Sequence, residues 1–338
     1  MRIQKGTMMT CDLSRRDFLS ALGIWAMTTA ISAPAHHAQA ESGLPNASST
    51  ELSAFRSGVT HNPSSSSMKF GYTAMTWGRD ERQAIDDISA LGFPGIQFRA
   101  NAVTEFDPSE LRALLQQHKL IMVALSSGVV DINPAVERDQ IAMHMANARY
   151  VRAVGGLYLQ VLDKLSQQRP RIVTPEECTR LGKLLTEIGK RTADLGIPLG
   201  YHNHMNTLSE RPGDLERILA ASDPRYVHLE LDTAHYVGGG GDPARAILQY
   251  RNRLLFIHLK DMVDEPMGTE KKQKYPVKFV ELGRGRVNFS AIFAALHTIG
   301  FHGWAVVELD RVPDKTTTPM EAARISEQYL ENKMGFAI

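Results

Sequence analysis

Val227-His228-Leu229-Glu230-Leu231-Asp232, followed by Thr233-Ala234-His235 and then by Asp242-Pro243, is the stretch from which the fold is read. A short run dominated by valine and leucine suits a buried parallel strand, and aspartate before proline suits the start of a helix. Similar apolar runs stand at Phe70–Thr76, Gly95–Phe98, Ile121–Leu125, Leu157–Val161, Pro198–His202, Leu254–Leu259 and Trp304–Glu308, each followed by an amphipathic stretch. Asp107-Pro108-Ser109-Glu110 and Thr174-Pro175-Glu176-Glu177 place a capping residue, a proline and then a glutamate at two helix starts. Asp214 and Asn288 are expected to open two more. Eight alternations in the 271 residues from Met68 to Ile338 give an α/β fold, a single (β/α)₈ TIM barrel, whose usual length is about 250 residues. An open doubly wound sheet would carry a glycine-rich fingerprint after its first strand, and Thr73-Ala74-Met75-Thr76-Trp77-Gly78 offers none.

What precedes the barrel reads as a leader and a tether. Ser14-Arg15-Arg16-Asp17-Phe18-Leu19, a weakly apolar run from Ala21 to Ala33 and Ala38-Gln39-Ala40 have the order of an export signal with a small-x-small cleavage site. The run is too short and too rich in Ser, Thr and Gly to span a bilayer. The paired arginines match a twin-arginine signal, so residues 1–40 are expected to be removed and the mature chain to be periplasmic or exported, with no membrane segment. Residues 41–68, rich in Ser, Asn, Pro and Gly, read as a flexible linker, and the barrel as 69–338. The 338-residue chain has 38 Lys and Arg against 37 Asp and Glu. Cleavage after Ala40 takes four cations and two anions, leaving a net charge of −1, and takes Cys11, so Cys178 has no partner for an internal disulfide. A nearly neutral chain, 43% apolar and 22% charged, is neither disordered nor built to bind nucleic acid through its overall field.

In this fold, chemistry gathers where strands end. The last four strands end in His202-Asn203-His204, Glu230-Leu231-Asp232-Thr233-Ala234-His235, His258-Leu259-Lys260-Asp261 and Glu308-Leu309-Asp310. Residues two apart share a strand face, so each end can present a pair into the barrel mouth. Four strands ending in imidazoles and carboxylates are costly to bury without a compensating charge, and a divalent metal supplies one. His202, Asp232, His258 and Glu308 form a nitrogen and oxygen set suited to manganese, cobalt, iron or zinc, with magnesium also admitted. Whether His202 or His204 is the fifth-strand ligand stays open.

Gly200-Tyr201-His202-Asn203-His204, Leu229-Glu230-Leu231-Asp232-Thr233, His258-Leu259-Lys260-Asp261, Glu281-Leu282-Gly283-Arg284-Gly285 and Val307-Glu308-Leu309-Asp310 together resemble the xylose-isomerase-like TIM barrels, the sugar phosphate isomerase/epimerase family. The resemblance implies one divalent ion held at the ends of strands five to eight through Glu, Asp, His and Glu. Asp232, His258 and Glu308 match. His202 stands where the family's sugar epimerases usually have glutamate, and Gln97 stands where an acid often ends the second strand.

The expected reaction is proton abstraction beside a sugar carbonyl through a stabilised enediolate, giving isomerisation or epimerisation; its alternative is elimination, as in a 3-keto-glycoside lyase or hydratase. Glu308 is the expected base, with His204 or His235 as the opposite acid or base. Lys260 is expected either on the substrate oxyanion or as a salt-bridge partner of Asp310 or Glu230, and Trp77, Arg99 and Arg284 are candidate sugar contacts. The expected partner is a small sugar or glycoside, with the oligomeric state open. A non-catalytic carbohydrate-binding barrel is the reading from a different class. Nuclease activity is disfavoured, because Thr73, Gln97 and Val123 do not supply the further metal ligands that the barrel's DNA repair members need on early strands.

Overall fold

The computed structural model describes residues 68–165, 172–265, 276–314 and 316–338. The expected leader, and the linker up to residue 67, lie outside them, whereas Met68 is buried in the core. Eight parallel strands close into a barrel: β1 (Lys69–Thr73), β2 (Gly95–Arg99), β3 (Ile121–Val130), β4 (Tyr158–Asp163), β5 (Leu199–His202), β6 (Val227–Asp232), β7 (Leu254–Leu259) and, after an antiparallel ribbon of β8 (Asp261–Asp264) and β9 (Val277–Val280), β10 (Trp304–Val307). Strand β10 pairs with both β7 and β1 and completes the circle. Among the described residues, ten helices alternate with the strands: α1 (Glu81–Ala90), α2 (Ala102–Glu105), α3 (Pro108–Gln117), α4 (Glu137–Val154), α5 (Pro175–Ala193), α6 (Pro212–Ala220), α7 (Thr233–Gly238), α8 (Pro243–Gln249), α9 (Phe289–Thr298) and α10 (Pro319–Asn332). No helix among the described residues is long and apolar enough to cross a membrane.

Local chemistry sets several of these boundaries. Thr174 and Glu177 form a reciprocal capping box at α5, and Asp107, Asp242 and Asn288 each accept a backbone N–H at α3, α8 and α9. Asp214 does not open a helix. Pro212, pre-set at the first helical position, starts α6 two residues earlier, and Asp214 instead pairs with Arg217 at 2.6 Å. Residues 74–76, expected within the first strand, turn into a 3₁₀ segment, Ala74–Trp77.

The inward faces of the strands fill the barrel in layers. Val123, Ala124, Phe256, Trp304 and Val306 form a buried apolar floor, with Tyr158 stacked on Phe256 at 5.5 Å between ring centroids. Gly95 makes room for it: a Cβ there would lie 2.3 Å from the Trp304 ring. Cutting Trp304 back to alanine would cost about 3–5 kcal/mol, the usual loss for a large buried aromatic. Two residues further along the same strand faces, past Phe256 and Val306, stand His258 and Glu308. Period-two alternation therefore carries the chain from an apolar floor directly to a polar mouth.

Candidate active site

His202, Asp232, His258 and Glu308 come from the ends of β5, β6, β7 and β10, and one ligand-competent atom from each lies within 4.8 Å of the others. All four are buried, and His258 and Asp232 are fully so. The contacts are close. His258 Nδ1 stands 3.2 Å from Glu308 Oε2, 3.2 Å from Glu230 Oε1 and 3.8 Å from Asp232 Oδ2. None of these approaches has the alignment of a hydrogen bond, and His202 Nδ1, Asp232 Oδ2, His258 Nδ1 and Glu230 Oε1 are buried polar atoms without a hydrogen-bond partner among the described residues. Buried donors are normally satisfied. Several left unsatisfied at one point, two imidazole nitrogens among carboxylate oxygens, fit a divalent cation.

The remote nitrogen of His258 is fixed across the barrel. Gln97, on β2, approaches His258 Nε2 with Oε1 at 2.9 Å, while its amide nitrogen donates to Ser126 Oγ at 3.0 Å. Because Oε1 can only accept, Nε2 carries the proton and Nδ1 is the nitrogen turned toward the carboxylates. Burial by itself would lower the pKa of His258, but the carboxylates of Glu230, Glu308 and Asp232 outweigh it and hold it up at about 9. The sequence reading placed Gln97 only as a departure from an acidic residue. Strand parity, which sets Gln97 on the inward face with Gly95, is the signal that marks it as part of the site.

Lys260 adopts the salt-bridge alternative, though its partners are Asp310 and Glu308 and not Glu230. Its ammonium, 1% exposed, lies 2.5 Å from Asp310 Oδ1, 2.8 Å from Glu308 Oε1 and 3.3 Å from His235 Nε2, with the Phe279 ring 4.2 Å below. Burial works to raise the pKa of Glu308, but Lys260 and His258 reverse this and hold the carboxyl well below the usual range. Held ionised in this way, the carboxylate is suited to a cation.

His204 and His235 stand beside this centre with ring centroids 3.6 Å apart, and 5.4 and 5.7 Å from His202. The two are set by neighbouring segments. Asp232 caps α7 through the His235 backbone N–H, and Thr207 Oγ1 donates to the His204 carbonyl. His204 Nδ1 is 2.7 Å from the Met205 carbonyl, an acceptor, so Nδ1 donates and the basic lone pair of that ring is on Nε2. Burial lowers the pKa of both rings, with His202 and Lys260 acting the same way on both and His204 also on His235: His204 is pushed down to about 3 and His235 well below its usual value. Both are neutral imidazoles at physiological pH.

The three expected sugar contacts are placed differently. Trp77 is buried, donates its indole N–H to Asp87 of α1 at 2.7 Å and packs its ring against Tyr72, at the end of the 3₁₀ segment. Arg99 donates to the Gly78 carbonyl and is thereby tied to the loop after β1. Arg284 is half exposed, on a turn 3.4 Å from Glu281. That turn hangs from Asp261, whose carboxylate accepts four backbone N–H groups, from Met262, Gly283, Gly285 and Val287, at 2.8–3.0 Å. Neither Asp261 nor Phe279, which lies 5.1 Å from the His235 ring, was singled out by sequence, because the β8–β9 ribbon carries no repeat signal.

Comparison with known proteins agrees with this architecture. The family model for the xylose isomerase-like TIM barrel matches residues 85–332. An inosose dehydratase of Lacticaseibacillus casei is 28% identical over 296 residues, covering 79% of this chain and 97% of the relative. Among solved structures, the IolI protein with a bound zinc atom superposes with a TM-score of 0.67 at 20% identity, covering 80% of this chain and all of that one. An L-ribulose 3-epimerase gives 0.65 at 17% identity, over 79% and 94% of the two chains. At such identities the two structural likenesses show the fold.

Proposed function

The chain belongs to the xylose isomerase-like TIM barrel family, and from that premise we propose that it is a divalent-metal-dependent lyase that eliminates water or an alcohol β to the carbonyl of a cyclic keto-polyol. The observation that carries this reading is the convergence of His202, Asp232, His258 and Glu308 with their unsatisfied buried atoms. These four residues would hold the ion, which when bound polarises a carbonyl and stabilises the negative charge that develops on its oxygen. The donor set of two imidazoles and two carboxylates suits zinc, manganese, cobalt or iron.

The rest of the chemistry belongs to the chain. His204, with Nδ1 fixed on the Met205 carbonyl and its lone pair on Nε2, accepts the proton from the carbon next to the carbonyl, and the Asp232 carboxylate favours the imidazolium that forms. The same ring, now imidazolium, gives that proton to the departing oxygen. One C–H and one C–O bond break, a carbon–carbon double bond forms and water or alcohol leaves. Lys260 holds Glu308 ionised, and His235 lines the neutral side of the centre.

Elimination takes the place of the isomerase or epimerase reading for two reasons. An epimerase needs bases on both faces of one carbon, and here the glutamate usual on the fifth strand is replaced by His202. The relative that matches along 97% of its own length is named a dehydratase, not an isomerase. A keto-cyclitol or a 3-keto-glycoside is the substrate class, unphosphorylated because Arg15-Arg16 and Ala38-Gln39-Ala40 support export of the mature chain.

The purified mature protein should contain about one divalent ion per chain, and His258→Ala or Glu308→Ala should abolish its activity. Incubation with inosose and with a 3-keto-glucoside in deuterium oxide should yield a dehydrated ring or a released aglycone. Deuterium uptake into recovered sugar with no elimination would return the isomerase reading, and full activity after exhaustive chelation would overturn the metal mechanism.

A further inference from the structure

Glu230 is the buried carboxylate of the site that the four-residue set does not use. It lies on β6 in register with His202 on β5, two residues before Asp232 and on the same inward face. It is fully buried, yet its Oε1 has no hydrogen-bond partner among the described residues. Oε1 stands 3.2 Å from His258 Nδ1 and Oε2 stands 2.6 Å from His202 Nδ1, with the Gln160 amide donating to Oε2 at 3.4 Å. A fully buried carboxylate with one oxygen accepting no hydrogen bond is expensive, and replacing such a buried charge commonly leaves a fold no less stable.

The sequence supplies the reason. The fifth strand carries an imidazole where a carboxylate is usual, so the four-residue set holds two carboxylates, Asp232 and Glu308, where the usual set holds three. Glu230 is the residue paired across from that position, and its oxygens reach both imidazoles. We propose that Glu230 supplies from β6 the carboxylate charge that β5 lacks in this chain, and that it is a fifth functional member of the cation site. A structural carboxylate would be satisfied by donors of its own, whereas this one faces the nitrogens that face the cation.

The inference rests on the metal reading of the site, and the test separates the two. Zinc affinity is measured by competition with a chromophoric chelator, together with thermal unfolding of the metal-free protein. Glu230→Gln should weaken zinc binding by about 10- to 100-fold, the usual effect of losing a residue that supports metal ligands. Its metal-free form should unfold no earlier than the wild type, because a buried charge has been removed. His202→Glu in the Glu230→Gln background should bring zinc affinity back to within about threefold of wild type, since the carboxylate has only changed strands. Zinc affinity within twofold of wild type in Glu230→Gln, an earlier-unfolding metal-free form, or no recovery in the double variant would each overturn the proposal. If Glu230→Gln does not fold, the double variant decides alone by the same threefold criterion. A wild-type protein that takes up no zinc would instead refute the metal reading itself.

Discussion

Replacing Gln97 by leucine tests how the barrel chooses the nitrogen that His258 offers to the proposed cation. In the native site Gln97 Oε1 accepts from Nε2 at 2.9 Å, and Ser126 fixes the amide from the other side at 3.0 Å. Leucine has nearly the same volume and no acceptor, so the Nε2 proton would be buried without a partner. Leaving a buried donor unsatisfied costs about 1–3 kcal/mol. Nothing then prevents the proton from moving to Nδ1, where it would occupy the nitrogen the cation needs. Loss of such a support to a metal-binding histidine weakens affinity by about 10- to 100-fold, or about 1.4–2.8 kcal/mol, so the two routes agree. Gln97→Leu should therefore bind zinc at least tenfold more weakly in chelator competition, with its circular dichroism unchanged. Gln97→Glu, which restores a stronger acceptor, should bind at least as tightly as wild type. Zinc affinity of Gln97→Leu within twofold of wild type would show that Gln97 does not set the tautomer.

Acid stability offers a second check at a residue remote from the site. His144 on α4 is buried against Ser127 Oγ at 2.7 Å, and burial pushes its pKa down to about 4. The unfolded imidazole takes its proton near 6.5, so between pH 6.5 and 4 the unfolded state binds more protons and folding weakens as pH falls, by about 3 kcal/mol at pH 4. Urea unfolding should show His144→Gln losing less stability than wild type over that interval; parallel curves would refute the assignment. Asp261→Ala strips four backbone N–H groups of their acceptor and should cost roughly 3 kcal/mol or more, with faster amide exchange at Gly283, Gly285 and Val287. Unchanged exchange there would mean that the turn holds itself.

Much of the site was legible along the chain because strand parity and the fold's habit of placing chemistry at strand ends act locally. His202, Asp232, His258 and Glu308 each sit on or just past the end of an apolar run, facing the floor side of the strand. The contacts of Trp77 and Arg99 were not legible, for the opposite reason. Trp77 turns with a 3₁₀ segment onto Asp87, and Arg99, at the end of β2, bonds the Gly78 carbonyl; neither turn has a sequence signal of its own.

The sequence alone determined the barrel, through eight alternations of apolar run and capped helix, and it determined which residue types end each strand, since both depend on spacing and neighbouring chemistry. Tertiary structure alone decided the roles within that set. Gln97 meets His258 across 161 residues of chain, Lys260 reaches Glu308 and Asp310 rather than Glu230, and Glu230 lies level with His202. Those pairings depend on the register with which eight strands close, and only closure brings the charges near enough to fix each proton and each carboxylate.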